Sequence, residues 1–416
     1  MSTPLTATQA VGALRARTLR IHRDHDLLVQ AGERGFFWRS ARHELVTRGV
    51  AVRIPLEAGP GRIAAAAGVV SALLAQIRWE GPEGAPGPVA VGALPFADLA
   101  PGALVVPELV VRRDASGALW ETRISANGTA LAGLPQALRE PGAWPATVSV
   151  RSGQDRAGWD AMVARALAAI AAGELAKVVL AREVLVEADR PFSRAAALRR
   201  LAARAAGCLL YAHDGFVGAS PELLVRRHGP LVVSCPLAGT AARGGVPPAE
   251  EAGRLARLVA SAKDAAEHRF VVEAVVAALG RAGARLTVHP RSLIRLATVA
   301  HLATRVEAEL PEPAPSALAL AGLLHPTPAV AGTPTARALA LLGRLEPFER
   351  GLYGGPVGWV DARGDGEWAV ALRGADLAGR RARLLAGAGI VAGSDPADEW
   401  AETEAKLDAM LGVLTV

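Results

Sequence analysis

Apolar and polar positions change rhythm near residue 155. Before it, short apolar runs alternate with Gly/Pro turns, as in VAVRIPL, GPVAVGALPF, ALVVPELVVRR and ALWETRIS. This pattern predicts antiparallel strands with a helix or two, such as Ile63–Ile77. The stretch LPQALREPGAWPATVSVR, from Leu134 to Arg151, is turn-rich and reads as a connection. No catalytic constellation stands out in this first part.

From Trp159 the spacing turns helical, and WDAMVARALAAIAAGEL closes on Gly173 as a C-cap. A strand, AKVVLAREVLVEA, and a helix, SRAAALRRLAARA, come next. Strands CLLYAH, GFVGAS, ELLVRR and LVVSCPLA follow in hairpin-like succession. One long helix is predicted over AEEAGRLARLVASAKDAAEHRFVVEAVVAALG, then strands RLTVHP and ATVAHLATRVEAEL. A Pro-rich connection around a short helix, PEPAPSALALAGLLHPTPAVAGTP, precedes strands GGPVGWVDARG, GEWAVALRGADLAG and RARLLAGAGIV. DPADEWAETEAKLDAMLGVL is a final helix. Runs of strands with helices set outside them predict an α+β layered sandwich rather than regular βαβ winding.

Composition narrows the function. With 416 residues, 51% of them hydrophobic and 21% charged, the chain has enough apolar material for one large domain or two ordinary ones. No apolar run reaches the roughly 18–20 residues of a membrane span, and the N-terminal MSTPLTATQAVGALRART lacks the pattern of a signal peptide. Cys208 and Cys235 match no metal-ligand spacing and fit a reducing cytosol, so a cytoplasmic protein is expected. A net charge of +6 raises nucleic-acid binding. Basic residues are nevertheless scattered among acids and aromatics amount to 4%, too few for stacking platforms. An acidic small molecule suits the charge better.

Of 46 basic residues only three are lysines, Lys177, Lys263 and Lys406. Arginine fills solvated roles but cannot act as a base or imitate a compact ammonium, so a lysine kept in such a chain is a candidate for lysine-specific chemistry. Lys177 opens an apolar strand, where its pKa can be lowered to make a general base; its ammonium can also simply reach solvent at the strand end. Glu222, in GASPELLV, sits where desolvation would keep it a proton donor. In the last helix Glu399, Glu402 and Lys406 share one face, and either a cation or solvent can neutralise the stacked carboxylates. Glu267, in KDAAEHR, lies near the boundary of wet and buried faces. A hard cation shared between it and the last helix would be Mg²⁺ rather than zinc, since the ligands are oxygens. PLAGTAARG (236–244) and AGAGIVAGSDP (386–396) read as Gly-rich turns able to approach an anion, or as tight turns only. His301, His325 and Tyr353 are isolated polar groups whose default reading is packed and hydrogen-bonded.

Taken in order, these segments resemble the chorismate-utilising enzymes, which include isochorismate synthase, salicylate synthase, anthranilate synthase component I and aminodeoxychorismate synthase. The matching pieces are GELAKVVLAR, GASPELLV, PLAGTAARG, SAKDAAEHRFVV, ATVAHLATRV, LLHPTPAVAGTP, FERGLYGGPVGWVDARGDGEWAVALRGADL and LLAGAGIVAGSDPADEWAETEAKL. They cover residues 155–411, and all three lysines fall within them. The resemblance implies one large anthranilate synthase component I-like domain, two packed antiparallel β-sheets flanked by helices, with the active site in a cleft between them. Residues 1–150 would be a divergent N-terminal part of the sandwich and residues 155–411 the chorismate-binding catalytic region.

The same resemblance places Mg²⁺ on Glu267 and Glu402, with Glu399 nearby, directly or through water. Arg373 and Tyr353 match positions that bind the pyruvyl carboxylate, beside the backbone of Gly387 and Gly389. Gly239, Thr240 and Lys406 match positions near the ring carboxylate and metal, and His301 lines the pocket. Members that use ammonia usually carry glutamine where this chain has Lys177, and Ala238 replaces the lysine nucleophile of aminodeoxychorismate synthase. Water addition is therefore implied: Lys177 activates water for attack at C2 of chorismate and Glu222 protonates the departing C4 hydroxyl, giving isochorismate for menaquinone or a siderophore. Lyase-capable members usually carry threonine at the position of Ala329. Salicylate synthase, which goes on to eliminate pyruvate, and a non-catalytic chorismate-binding relative are the alternatives. A monomer without a glutaminase subunit is expected, with chorismate as partner and neither nucleic acid nor membrane.

Overall fold

The computed structural model describes residues 5–6, 14–22, 25–126, 143–244 and 246–415. Most of the N-terminal segment read for a leader, and the turn-rich connection up to residue 142, lie outside the described residues. No helix among those described is long and apolar enough to cross a membrane.

A ten-stranded and a thirteen-stranded sheet pack face to face, and nearly every pairing is antiparallel; two short pairings near the N-terminus are parallel. Consecutive residues show why both faces are apolar. Phe36 and Trp38 point into the layer between the sheets, against Val91, Val357 and Trp359. Phe37 points the other way, under helix Arg194–Arg204, with Leu198 and Leu201. Period-2 alternation on a strand covered on both faces produces such an unbroken apolar run. Helices Arg62–Gln76 and Ala317–Leu324 cover the outer face of the smaller sheet. Strands from residues 14–126 are woven into both sheets.

The elements that position the site are, in chain order, β1 (Lys177–Ala188), β2 (Phe216–Ser220), β3 (Leu223–His228), β4 (Leu231–Ser234), β5 (Leu237–Ala242), α1 (Ala262–Arg281), β6 (Val299–Ala303), β7 (Val306–Glu309), β8 (Gly332–Thr333), α2 (Thr335–Leu345), β9 (Gly366–Val370), β10 (Gly374–Ala378), β11 (Arg381–Val391) and α3 (Pro396–Leu414).

Three expectations are corrected. The long helix is two, because Ser261 is extended and its hydroxyl accepts from Asp264 N–H at 3.1 Å, capping α1. The strands expected over LVVSCPLA, ATVAHLATRVEAEL and GEWAVALRGADLAG each break and change sheet, and β5 and β6 belong to a third, three-stranded sheet. PLAGTAA and AGAGIV are mostly strand, not turns.

The breaks coincide in space. β2 pairs with β10 in the larger sheet while β3 pairs with β9 in the smaller, so this ribbon crosses between sheets at Pro221–Glu222 and at 371–373. A second ribbon pairs β4 with β7 in the smaller sheet and β5 with β6 in the third, crossing at Cys235–Pro236 and Thr304–Arg305. Pro221 and Pro236 have no N–H with which to continue a ladder. Arg373 turns its strand with φ 51°, a left-handed conformation uncommon for a residue with a Cβ. Hydrogen bonds stitch the crossings: Val370 N–H to Glu222 O at 3.1 Å, and Cys235 N–H to Leu223 O at 3.0 Å.

Candidate active site

One pocket lies where the ribbons cross. It is lined by Glu222, Gly239, Thr240, Glu267, His301, Ala329, Tyr353, Arg373, Gly387, Gly389 and Lys406, together with Val179, Pro221, Leu237, Val330 and Leu372. Lys177 stands behind this surface, fully buried, its Nζ 3.0 Å from Glu267 Oε1.

Glu222 sits at the crossing between β2 and β3, 3% exposed. Burial pushes its carboxyl up to about 8, against the opposing pull of Lys177, the Leu237 N–H, Lys406 and Arg373. Opposite charges nearby do not outweigh the loss of water. The group is a protonated acid at neutral pH.

His301, on β6, is neutral, since burial and the charges of Arg373 and Lys406 hold it well below its usual range. Arg373 Nη2 donates to His301 Nε2 at 3.1 Å, so the proton lies on Nδ1, 3.2 Å from both Gly239 O and Thr240 Oγ1. The imidazole thus fixes the guanidinium. His325 is packed and hydrogen-bonded to Phe96 O at 3.1 Å, away from the pocket.

The opposite wall is ionic. Lys406 donates to Glu402 Oε1 at 2.6 Å and to Gly387 O at 2.8 Å. Lys263 donates to Glu399 Oε1 at 2.6 Å. Burial would raise Glu267, but the ammoniums of Lys177, Lys406 and Lys263 hold it below the usual carboxylate range. Glu399, deeper and next to Glu402, is pushed up in spite of Lys263. Each of the three lysines therefore meets one of the three glutamates expected at a metal. Among the described residues no three His, Cys, Asp or Glu side chains form a ready-made ligand set.

Glycines on β11 let this wall close. A methyl on Gly389 would fall 2.1 Å from Glu267 Oε1, and one on Gly387 would fall 3.1 Å from the Tyr353 hydroxyl. The sequence reading missed Asp264, whose Cβ would lie 3.1 Å from a methyl on Gly239. Burial, with Glu267 and Glu402 adding, raises its carboxyl. Its position one turn before Glu267 on α1 was the available signal.

Comparison with known proteins fits this geometry. A sequence profile described as chorismate binding enzyme matches residues 25–415. The chain is 37% identical over 393 residues to the isochorismate synthase DhbC of Bacillus subtilis, covering 92% of this chain and 94% of that one. It superposes on MenF, the menaquinone-specific isochorismate synthase of Escherichia coli, with a TM-score of 0.81 at 27% identity, over 97% of this chain and 95% of the other. Anthranilate synthase component I of Streptococcus pneumoniae shares the fold, with a TM-score of 0.70 at 20% identity over 89% of this chain and 92% of that one.

Proposed function

This chain belongs to the chorismate-binding enzyme family, and we propose that it acts there as an isochorismate synthase. The observation that carries the reading is Glu222, a carboxylic acid held protonated up to about pH 8 in the pocket that Lys177 backs. Two groups with opposite proton roles on one substrate are what an exchange of hydroxyls needs.

In this mechanism Lys177 takes a proton from water as the water oxygen bonds to C2 of chorismate. The ring double bonds shift, the C4–O bond breaks, and Glu222 gives its proton to the departing hydroxyl, which leaves as water. Water is consumed and released, so the net reaction is an isomerisation. Arg373, oriented by His301, and Tyr353 hold the enolpyruvyl carboxylate, with Gly387 and Gly389 lying against it. Gly239, Thr240 and Lys406 face the ring carboxylate.

Glu267, Glu399 and Glu402 offer buried or half-buried carboxylate oxygens without sulfur or imidazole, a donor set that suits Mg²⁺. Glu267 and Glu402 would hold the ion, with Glu399 behind them, and bound Mg²⁺ supplies a positive charge for the ring carboxylate. Lys177, Lys406 and Lys263 neutralise the same carboxylates in the structure described here.

Water as nucleophile needs no ammonia-delivering subunit, and every proposed site residue comes from one chain, so a monomer suffices. Residues 155–411 form the catalytic region and residues 1–150 complete the sandwich. Cys208 and Cys235 are unbridged, in keeping with the cytoplasm. The test is chromatography of chorismate incubated with the purified protein and Mg²⁺. An equilibrium mixture of chorismate and isochorismate is expected. Dominant salicylate with pyruvate would identify a salicylate synthase, and unchanged chorismate a binding protein.

A further inference from the structure

The outer edge of β1 loses its neighbouring strand almost at once. β8 pairs with it only at Lys177 and Val178, and Val179 N–H then reaches Ala331 O at 2.8 Å. The next two groups on that edge go to side chains. Val179 O accepts from Arg350 Nη2 at 2.6 Å, and Ala181 N–H donates to Glu346 Oε1 at 2.8 Å. Glu346 is the residue that ends α2, and Arg350 lies one turn beyond it. Arg350 Nε donates to Glu346 Oε2 at 2.8 Å, Nη2 to Oε1 at 2.5 Å, and Nη1 to Val330 O at 2.6 Å. Both side chains are at most 4% exposed, and the guanidinium lies 4.6 Å from the Phe96 ring centre.

A carboxylate and a guanidinium thus take the place of a strand, one accepting the edge N–H and the other donating to the edge carbonyl. The same guanidinium ties that edge to the loop that crosses the pocket. Val179 and Val330 line the pocket on either side of this tie, and Ala329 adjoins Val330. Tyr353 N–H is held by Arg350 O at 3.1 Å. Burying such a pair gains little stability over apolar residues of similar volume. Its geometry, however, fixes three walls of the site relative to one another.

We propose that Glu346 and Arg350 are a positioning pair that sets the distance between the strand of Lys177 and the Ala329–Val330 wall, and thereby how tightly chorismate is held and which product leaves. This rests on the isochorismate synthase reading above. After water has added, the enolpyruvyl group can react further if it swings over the ring. The C2 hydrogen then passes to its methylene carbon, the C3–O bond breaks, and the ring aromatises, so isochorismate yields salicylate and pyruvate with no other reactant. A fixed wall at Ala329–Val330 denies the side chain that freedom.

The informative variant replaces both members by apolar residues, Glu346→Leu with Arg350→Met, in the full-length chain. Stability should fall only moderately: the buried charges leave together, but Ala181 N–H and the carbonyls of Val179 and Val330 lose their partners. The KM for chorismate should rise about tenfold, with kcat changed much less, and the pyruvate fraction should rise. Amide hydrogen exchange of segments 179–183 and 327–333 should accelerate while the inter-sheet core stays protected. Glu346→Gln, which keeps the acceptor for Ala181 N–H, should restore most of the slow exchange and serves if the double variant does not fold. A folded double variant with wild-type KM, product ratio and exchange would overturn the proposal. Wild-type protein that fails to convert chorismate would instead overturn the functional reading, and the exchange measurement would still decide whether the pair positions the wall.

Discussion

On the side of the pocket built from β1, α1 and α3, every lysine has a carboxylate: Lys177 with Glu267, Lys406 with Glu402 and Lys263 with Glu399, at 3.0, 2.6 and 2.6 Å. On the side built from the crossing ribbons, Glu222 and Arg373 form no ion pair among the described residues, and Arg373 donates instead to a neutral imidazole. Glu222, 3% exposed, and Lys177, fully buried, are both withdrawn from water. Burial alone favours the neutral form of any group, and a counter-charge in contact reverses this. Hence Glu222 is raised to about 8 while Glu267 is held low. One cleft therefore keeps one carboxyl as an acid and another as a carboxylate, by giving an ammonium in contact to only one of them.

The contrast breaks most completely on the ionic side. Glu267→Ala and Glu402→Ala each remove a proposed Mg²⁺ ligand and the partner of a lysine. Turnover should fall by about 10⁴-fold or to background, and EDTA should do the same to the wild type. Steady-state rates with circular dichroism as a check of folding test this, and full activity in metal-free buffer refutes the metal assignment.

Next in size are the proposed proton-transfer groups. Lys177→Arg should be nearly as inactive as Lys177→Ala, because guanidinium cannot become a base at accessible pH, and Glu222→Gln can hydrogen-bond the leaving hydroxyl but not protonate it. Each loss should be about 10²–10⁴-fold in kcat. The double variant should be little worse than either single one, since both act in one step. If Lys177→Arg kept more than about a tenth of wild-type kcat, the base would have to be another group.

A smaller effect isolates the unpaired side. The folded-state pKa of Glu222 is about 8, against 4.5 as its ordinary value. Between these values the folded chain keeps a proton that the unfolded chain has released. Stability from this group is therefore greatest below about pH 4.5, declines as pH rises, and is flat above about 8. The rate should fall above about pH 8 as the acid ionises. Glu222→Gln, though inactive, should melt less steeply with pH than wild type between pH 5 and about 8. Parallel melting curves across that range would remove the raised carboxyl from the account.

Much of the ionic wall was legible in the sequence, for a physical reason. Where arginine has replaced lysine nearly everywhere, the three remaining lysines mark places that need a compact ammonium, and all three meet carboxylates here. Short apolar runs likewise disclosed most strands, and the helices expected over SRAAALRRLAARA and DPADEWAETEAKLDAMLGVL form, capped by Ser193 and Asp395. The crossings were not legible. Hydropathy has the same period on both sides of Pro236 or Arg373, so a strand that changes sheet reads as one strand. The placement of Glu222 and His301 depends on those crossings. Order of motifs brought these residues to notice, but only the fold shows that two ribbons bend at one place. Glu346 and Arg350 read as an ordinary i, i+4 pair, because the main-chain partners that give the pair its place are distant in sequence and leave no residue pattern.

The smallest expected effect concerns neither charge but the apolar rim between the two sides. Ala329 is half-buried, and its N–H donates to Thr327 Oγ1 at 3.3 Å. In the proposed mechanism water addition and pyruvate elimination share the metal and the Lys177–Glu222 pair, so those groups cannot separate the two outcomes. Elimination also requires the side-chain methylene to lie over C2 in a near-attack arrangement. A methyl at position 329 has neither donor nor acceptor with which to hold the enolpyruvyl group there, whereas a threonine hydroxyl has both. Ala329→Thr should therefore raise the pyruvate released per isochorismate formed by a modest factor, about two- to tenfold. Tyr353 already places one hydroxyl in the pocket, which limits what a second can add. The chorismate–isochorismate equilibrium should be reached at nearly the wild-type rate, because neither proton-transfer group moves. Pyruvate measured by a coupled dehydrogenase, beside chromatography of the same samples, decides it. An unchanged pyruvate yield would show that the rim does not control the second step, and a wild-type yield already equal to the isochorismate formed would make this chain a salicylate synthase.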